Sequence, residues 1–303
     1  FRKMNKLYNK KRRWVAGSFL FLTILLTGIF SCNKPFPNKL AENKPEPETK
    51  VLARKTLLIV VDGAVGTEVR AAAPPTLNSL VDFSIYSWDG LSDYNNVPVT
   101  NASTWTTLLT GTTSNKHNVS GNNFSGNNLA TYPTLFTRIK QERPLERTSA
   151  FTSSPELVDN LAADATEKHS YAEDDAAVKN AVVSELGTKN PALVLAQFHD
   201  VDKAGSANTY SVTSPEYKNA ILRVDGYIGE ILAALNKRST FKDENWMVII
   251  TSNKGSNTPY APAGLPWSAF EDKRHNTFTF FYNPRFNSSN PSKPVTIPYI
   301  GNS

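Results

Sequence analysis

The sequence predicts a doubly wound α/β domain, a mostly parallel sheet with helices on both faces, and three observations carry that expectation. Short unbroken apolar runs such as Leu57-Leu-Ile-Val-Val61 read as strands buried on both faces. Amphipathic helical stretches separate these runs, and this alternation is the pattern of a parallel sheet. The chain has no internal repeat, and the roughly 250 residues from Lys55 onward suffice for one substantial core.

The elements follow in chain order. Leu57 to Val61 is the first strand, and it runs into Asp62-Gly63. A strand ending in aspartate either caps the following turn or brings a carboxylate to the sheet edge where open α/β folds keep their chemistry. A helix is expected from about Asn101 to Thr110-Gly111, and the Asn/Gly/Ser-rich segment Ser114 to Asn128 reads as a loop. Asp174 to Leu186 is amphipathic, with Gly187 expected to end it. Leu193 to Phe198 is a second strand. Tyr217 to Lys237 is the strongest helix, because Ala220, Ile221, Val224, Ile228, Ile231, Leu232 and Leu235 recur at three- and four-residue steps. Ser214-Pro215-Glu216 supplies its N-cap and first-turn proline. Met247 to Thr251 is a third strand and Thr277 to Tyr282 an expected edge strand.

Before the domain, residues 4–31 read as a secretory signal. Lys6, Lys10, Lys11, Arg12 and Arg13 precede the apolar stretch Trp14 to Phe30, which is short for a membrane span and meets Ser31-Cys32 directly. Ile29-Phe30-Ser31-Cys32 resembles a bacterial lipobox, so cleavage before Cys32 and acylation of its thiol are expected. Phe1 to Lys3 precede the first methionine and are set aside. Residues 32–54, rich in Lys, Glu, Asn and Pro, cannot bury enough surface to offset their ordering entropy and read as a flexible tether. The domain occupies 55–303. Because the chain stops at Asn302-Ser303 soon after a strand, a longer natural C-terminus is expected.

Composition narrows the function. Cys32 is the only cysteine, so no disulfide is available within the chain. Seven of the 33 Lys and Arg residues precede Cys32, which leaves 26 against 27 acidic residues. The basic character belongs to the signal, and nothing in the mature charge balance points to nucleic acid.

Four segments then fall in order: Ile59-Val-Val-Asp62-Gly63, Asn101 to Thr110-Gly111 followed by His117, Asp202-Lys-Ala-Gly205-Ser206, and Thr251-Ser252-Asn253-Lys254-Gly255. This order and spacing resemble the alkaline phosphatase superfamily, closest to its type I phosphodiesterase/nucleotide pyrophosphatase branch. Tyr132-Pro133-Thr134-Leu135-Phe136, Asp174-Asp175 and Val224-Asp225-Gly-Tyr-Ile-Gly229 support it. The resemblance implies an alkaline phosphatase-like fold and two metal ions, commonly zinc, that activate a Thr or Ser for attack on phosphorus. It carries metal ligands over onto Asp62 and Asp202.

Beyond those two the match fails. The nucleophile position, ten residues before Gly111, is Asn101, whose carboxamide cannot form an attacking alkoxide. Ser206 replaces the histidine of Asp-x-x-Gly-His, and Asn253-Lys254 replaces the Asp-His of Ser-Asp-His-Gly. For the last histidine ligand only His275 offers itself, against a packing or surface role. The concerted losses lead us to expect a dismantled centre in which the Lys254 ammonium neutralises both Asp62 and Asp202. Thr100 and Ser103 flank the nucleophile position near a helix start, and Thr100 is the substitute nucleophile if one exists. His117 looks structural. His199 is either a strand-end residue in a satisfied hydrogen bond or a substitute ligand. His169 reads as lying in a polar loop. Trp105, Trp246 and Trp267 read as packing residues rather than sugar platforms, with Trp267, beside the proline-rich run Pro259 to Pro266, also placed to border a pocket.

Three functions compete. The leading expectation is an envelope lipoprotein, anchored through Cys32 at the outer membrane or cell surface. Its degenerate phosphodiesterase-like domain would bind a phosphate-, sulfate- or glycan-bearing ligand between Asp62, Asn101, Asp202 and Lys254, without a cofactor. The rival is an active phosphate- or sulfate-ester hydrolase with zinc. The third, a purely structural surface protein, implies no pocket ligand.

Overall fold

The computed structural model describes residues 52–92, 99–257 and 271–285. The chain divides at Val51/Leu52, and every described residue belongs to the second unit. Cys32, Trp267 and the Pro259 to Pro266 run lie outside the described residues.

Seven strands form one sheet. They are β1 (Ala53–Val61), β2 (Ser84–Leu91), β3 (Thr148–Thr152), β4 (Glu167–Ser170), β5 (Leu193–Phe198), β6 (Glu244–Thr251) and β7 (Asn276–Tyr282), in the spatial order β2-β7-β6-β1-β5-β3-β4. β1 pairs in parallel with both β5 and β6, and β3 pairs in parallel with β4 and β5. β7 runs antiparallel to both its neighbours. The mostly parallel sheet is as expected, but β7 is not an edge strand, because β2 pairs along its outer side. β2 escaped the sequence reading because Ser84-Ile-Tyr-Ser-Trp-Asp-Gly-Leu91 mixes polar and aromatic residues around a register shift.

Nine helices are described: α1 (Gly66–Ala72), α2 (Pro75–Leu80), α3 (Asn101–Thr110), α4 (Ser114–His117), α5 (Leu135–Glu142), α6 (Pro155–Leu161), α7 (Asp175–Thr188), α8 (Asp200–Ala207) and α9 (Pro215–Asn236). α3 has the bounds expected of it. Thr100 caps its start in a capping box with Ser103, and Gly111 ends it at φ 66°. α9 buries the whole predicted apolar stripe. α7 does not end at Gly187 but continues through Thr188, and α4 forms one turn inside the segment read as a loop. The tether boundary also moves: Ala53 and Arg54 already pair with Glu244 and Asn245, so the sheet begins before Lys55.

Strand alternation divides the core between two faces. Leu57, Ile59 and Val61 of β1 pack with Val194, Ala196 and Phe198 of β5 and with α7 and α9. Leu58 and Val60 turn the other way, toward Trp105 and Leu109 of α3, Phe136 of α5, and Leu157 and Leu161 of α6. β1 is therefore sandwiched at the centre, and its carboxyl end delivers Asp62 into a fully buried position.

Candidate functional site

The carboxyl ends of β1, β5 and β6 converge on one region, joined there by the start of α3. Asp62 follows β1 and is wholly buried. Its Oδ1 accepts from the Trp105 indole Nε1 at 2.7 Å, and its Oδ2 accepts from Gln197 Nε2 at 2.6 Å. His199 Nδ1 lies 3.3 Å from the same Oδ2. Burial pushes the Asp62 carboxyl upward. Burial opposes charge on His199 as well, but the hydrogen bond and charge of Asp62 outweigh it and raise the imidazole to about 9. Asp62 is thus a carboxylate held by three nitrogen groups, and His199 is its charged partner.

Lys254 does not touch Asp62, which corrects the expectation that one ammonium neutralises both aspartates. Its Nζ lies 2.7 Å from Asp202 Oδ1 and 2.6 Å from Asn257 Oδ1, and the side chain is 1% exposed. Asp202 also accepts from Tyr210 OH at 2.6 Å and from Asn101 Nδ2 at 2.9 Å. Burial raises the Asp202 carboxyl, and the adjacent Lys254 charge more than reverses this, leaving it below the usual range. Asn253 Nδ2 donates to Asn101 Oδ1 at 2.9 Å, while Asn253 Oδ1 accepts the amides of Gly63 and Lys254. Four of the substituted or retained positions therefore form one continuous chain: Lys254, Asp202, Asn101, Asn253.

Local backbone makes this closeness possible. Gly63 has φ +66°, and a Cβ there would fall 2.4 Å from Asp202 Oδ1, so the turn after β1 admits only glycine. Tyr217 of α9 braces the same turn, donating to Gly63 O at 2.8 Å and accepting from Val65 N at 3.0 Å. Asp175, at the start of α7, accepts the amides of His199 and Asp200 and thereby fixes the approach to α8. Burial raises its carboxyl to about 6.

The other predicted residues separate. Ser206 lies at the rim, 2.7 Å from Tyr210 OH and 2.7 Å from Asn257 Nδ2. The Thr100 hydroxyl serves the α3 cap and donates to Gly121 O at 2.9 Å, with no hydrogen bond to either aspartate. His117 is buried: it accepts from Val119 N on Nδ1, which leaves Nε2–H to donate to Thr107. His275 is buried, with Nδ1 3.4 Å from Ser92 Oγ and Nε2 3.9 Å from Asp272 Oδ2. His169 sits on β4 beside the Tyr171 ring, not in a loop. Trp246 packs as expected, with its Nε1 donating to Glu244.

The open space also differs from the expected one. Asp62, Asp202, Asn253 and Lys254 are buried against one another, and a cavity of about 600 Å³ lies beside them. Asn101, Trp105, Ser154, Glu156 and His199 contribute to its wall. Residue types hinted at part of this: Gln197 is a lone polar residue in an otherwise apolar strand, where it bonds Asp62, Ser153 N and Ser154 N. Nothing in the sequence marks Tyr210 as the partner of Asp202.

The donor set does not fit the paired metal ions that the resemblance implies. Zinc needs deprotonated Asp, His or Cys around it, and among the described residues no group of three or more His, Cys, Asp or Glu could hold a metal ion. An ammonium group occupies hydrogen-bond distance of Asp202, and cationic His199 faces Asp62.

Comparison with known proteins accords with this architecture. The family model of type I phosphodiesterase/nucleotide pyrophosphatase matches residues 128–259. Among solved structures, an inactive form of murine ectonucleotide pyrophosphatase/phosphodiesterase 5 in complex with AMP superposes with a TM-score of 0.52 at 17% identity, over 67% of this chain and 57% of that one. The C-terminal periplasmic domain of the phosphoethanolamine transferase EptC from Campylobacter jejuni gives 0.54 at 12% identity, over 77% of this chain and 80% of that one. A protein in the alkaline phosphatase superfamily from Vibrio parahaemolyticus gives 0.52 at 11% identity, over 76% and 60%. This chain therefore spans little more than half the length of the murine structure. No curated protein sequence matches it. The fold is that of the alkaline phosphatase superfamily.

Proposed function

We propose that this alkaline phosphatase-like, phosphodiesterase-related domain is a binding module of an envelope lipoprotein, and that its former reaction centre no longer hydrolyses esters through paired metals. One observation carries this reading: the chain Lys254–Asp202–Asn101–Asn253 fills the reaction positions with an ammonium and two carboxamides that satisfy one another. Such a network has no nucleophile to activate. The cavity beside it offers an anionic group of a phosphate- or sulfate-bearing ligand the His199 imidazolium and the first turn of α3, and of the two carboxylates on its wall Glu173 is already paired with Lys203, leaving Glu156 as the opposing charge.

A rival hydrolase reading draws on the same wall, because an imidazole held by a buried carboxylate and opening on a cavity is a geometry used for proton transfer. Metal analysis and turnover assays decide between them. Purified protein is assayed on chromogenic phosphomonoester, phosphodiester and sulfate-ester substrates, with inorganic phosphate, sulfate and AMP as binding probes in calorimetry. The binding reading expects substoichiometric zinc, no turnover, and binding of at least one probe that weakens in His199→Ala. Turnover that disappears in Asp62→Ala, or zinc bound in stoichiometric amount, overturns it. Absence of any binding together with absence of turnover favours the purely structural alternative.

A further inference from the structure

At the opposite end of the sheet from Asp62, the amino ends of the parallel strands gather basic and apolar groups that the site does not use. Arg54 opens β1, and Arg143 lies in the connection from α5 to β3; both are exposed, and neither side chain has a hydrogen bond or ion pair with a described residue. The two line one cavity of about 390 Å³ together with Met247 of β6, which is 42% exposed. Two residues beyond Arg143, Leu145 is 98% exposed at the tip of Arg143-Pro-Leu-Glu-Arg147. Lys189, Lys237 and Lys242 are exposed where the chain enters β5 and β6. Exposed acids at this end include Glu142, Glu146 and Glu167, the last paired with Arg147, while Asp164, paired with Lys140, and Asp243 are half-buried. Around the cavity near Asp62, Glu156, Glu173 and Asp174 are exposed, and the exposed cations there are paired, Lys203 with Glu173 and Arg223 with Asp200. The two ends therefore differ in pairing: the exposed cations near the site are matched by acids, while Arg54 and Arg143 stand without such partners among the described residues, beside an almost fully exposed leucine.

We infer that this basic end docks on an anionic lipid surface, with Leu145 entering the headgroup layer, Arg54 and Arg143 facing lipid phosphates, and the Asp62 cavity turned away from the membrane. The partner follows from chemistry and connectivity. An apolar tip flanked by arginines matches a surface that is anionic outside and apolar beneath. The proposal rests on the reading of Cys32 as a lipid anchor, because the tether then enters the domain at this same end, at Ala53. A coil of about 20 residues, the length of chain between Cys32 and Ala53, spans roughly 25 Å, and on that reading the basic end is held at an effective concentration near millimolar above the bilayer. Weak contacts then suffice for high occupancy.

The test uses the full acylated protein on vesicles of neutral phosphatidylcholine, or of the same lipid doped with phosphatidylglycerol, each carrying a headgroup quencher. With Cys32 acylated, Leu145→Cys supplies the one free thiol for a fluorescent label, and Glu156→Cys places a second label at the cavity end. The expected result is severalfold stronger quenching at position 145 on anionic vesicles than on neutral ones, no difference at 156, and loss of the effect in Arg54→Glu/Arg143→Glu or at high salt. Equal quenching on both vesicle types, or none at 145, overturns docking. Quenching at 145 that grows with protein concentration without vesicles assigns the face to a second copy and also overturns it. Failure to float with neutral vesicles refutes the anchor alone. Docking then stands if the protein still floats with anionic vesicles and loses about tenfold or more in affinity in the double variant, and falls otherwise.

Discussion

Lys254 is enclosed by protein at 1% exposure, and its Nζ donates hydrogen bonds to Asp202 Oδ1 and Asn257 Oδ1. Removing one member of such a pair strands the other without solvent. Lys254→Met should therefore destabilise the fold by about 3–5 kcal/mol, measured by urea unfolding. Adding Asp202→Asn should recover part of that loss, with a coupling of about 1–3 kcal/mol, since a carboxamide at 202 needs no counter-charge. Additive losses would mean that the two side chains do not act as a pair. Trp105 makes a second residue-level case. Its indole reads in the sequence as packing, and it does pack with Leu109 and Phe136, yet its Nε1 also donates to buried Asp62. Trp105→Phe keeps most of the apolar area while removing one donor from a carboxylate. A loss of about 1–3 kcal/mol is expected in the same unfolding assay, and a neutral substitution would show that Gln197 and His199 suffice.

Helix α2 is held from a distance. It starts at Pro75 after Pro74, which has no side chain to cap it, and its first amides are received by Asp225 of α9, at 2.8 Å from Thr76 N and 2.9 Å from Leu77 N. Asp225→Ala should cost about 1–2 kcal/mol and raise amide exchange at Thr76 and Leu77 before the rest of the molecule. Uniform exchange across α2 and α9 would refute this local role. The motif Val224-Asp225-Gly-Tyr-Ile-Gly229 was visible in the sequence, but its purpose was not, because the helix it caps lies some 150 residues earlier in the chain. The same limit explains other outcomes. α9 and β5 were legible from periodicity and apolar runs, which are local signals. β2 and β7 depend on each other's pairing, so β7 read as an edge strand, and α7 passes through Gly187 because Leu186 packs it onto the sheet. At the site, the substituted positions could be read from spacing, while the division of cations between the two aspartates depends on which strand end each reaches.

Across the whole domain, ionisable groups shape stability in opposite directions as the pH changes. Glu244, at the amino end of β6, receives two bonds from Arg238 and one from Trp246 Nε1. Burial would raise its carboxyl, but these partners hold it at about 2. A folded value below the unfolded one adds stability that is present above pH ~4.5 and lost as the pH falls through ~2. Asp202 at the site, also held low, acts in the same sense, but for Asp175 the sign reverses. Asp175, raised to about 6, favours the folded state more as the pH drops from 6 toward the ordinary carboxylate range, because the folded form then holds the extra proton. His199, raised to about 9, contributes stability that is complete below pH ~6.5 and disappears as the pH climbs through ~9. The expected profile therefore has an alkaline limb assigned to His199 and an acid limb to which Glu244 and Asp202, both held below the usual carboxylate range, contribute. Melting temperature followed from pH 2 to pH 10 should lose its alkaline limb between pH ~6.5 and ~9 in His199→Gln, while the acid limb persists. Glu244→Gln should instead lower stability at neutral pH and reduce the acid limb, leaving the alkaline limb in place. A His199→Gln profile that still falls between those alkaline values would assign the limb to other groups and break the link between Asp62, His199 and the charge of the cavity wall.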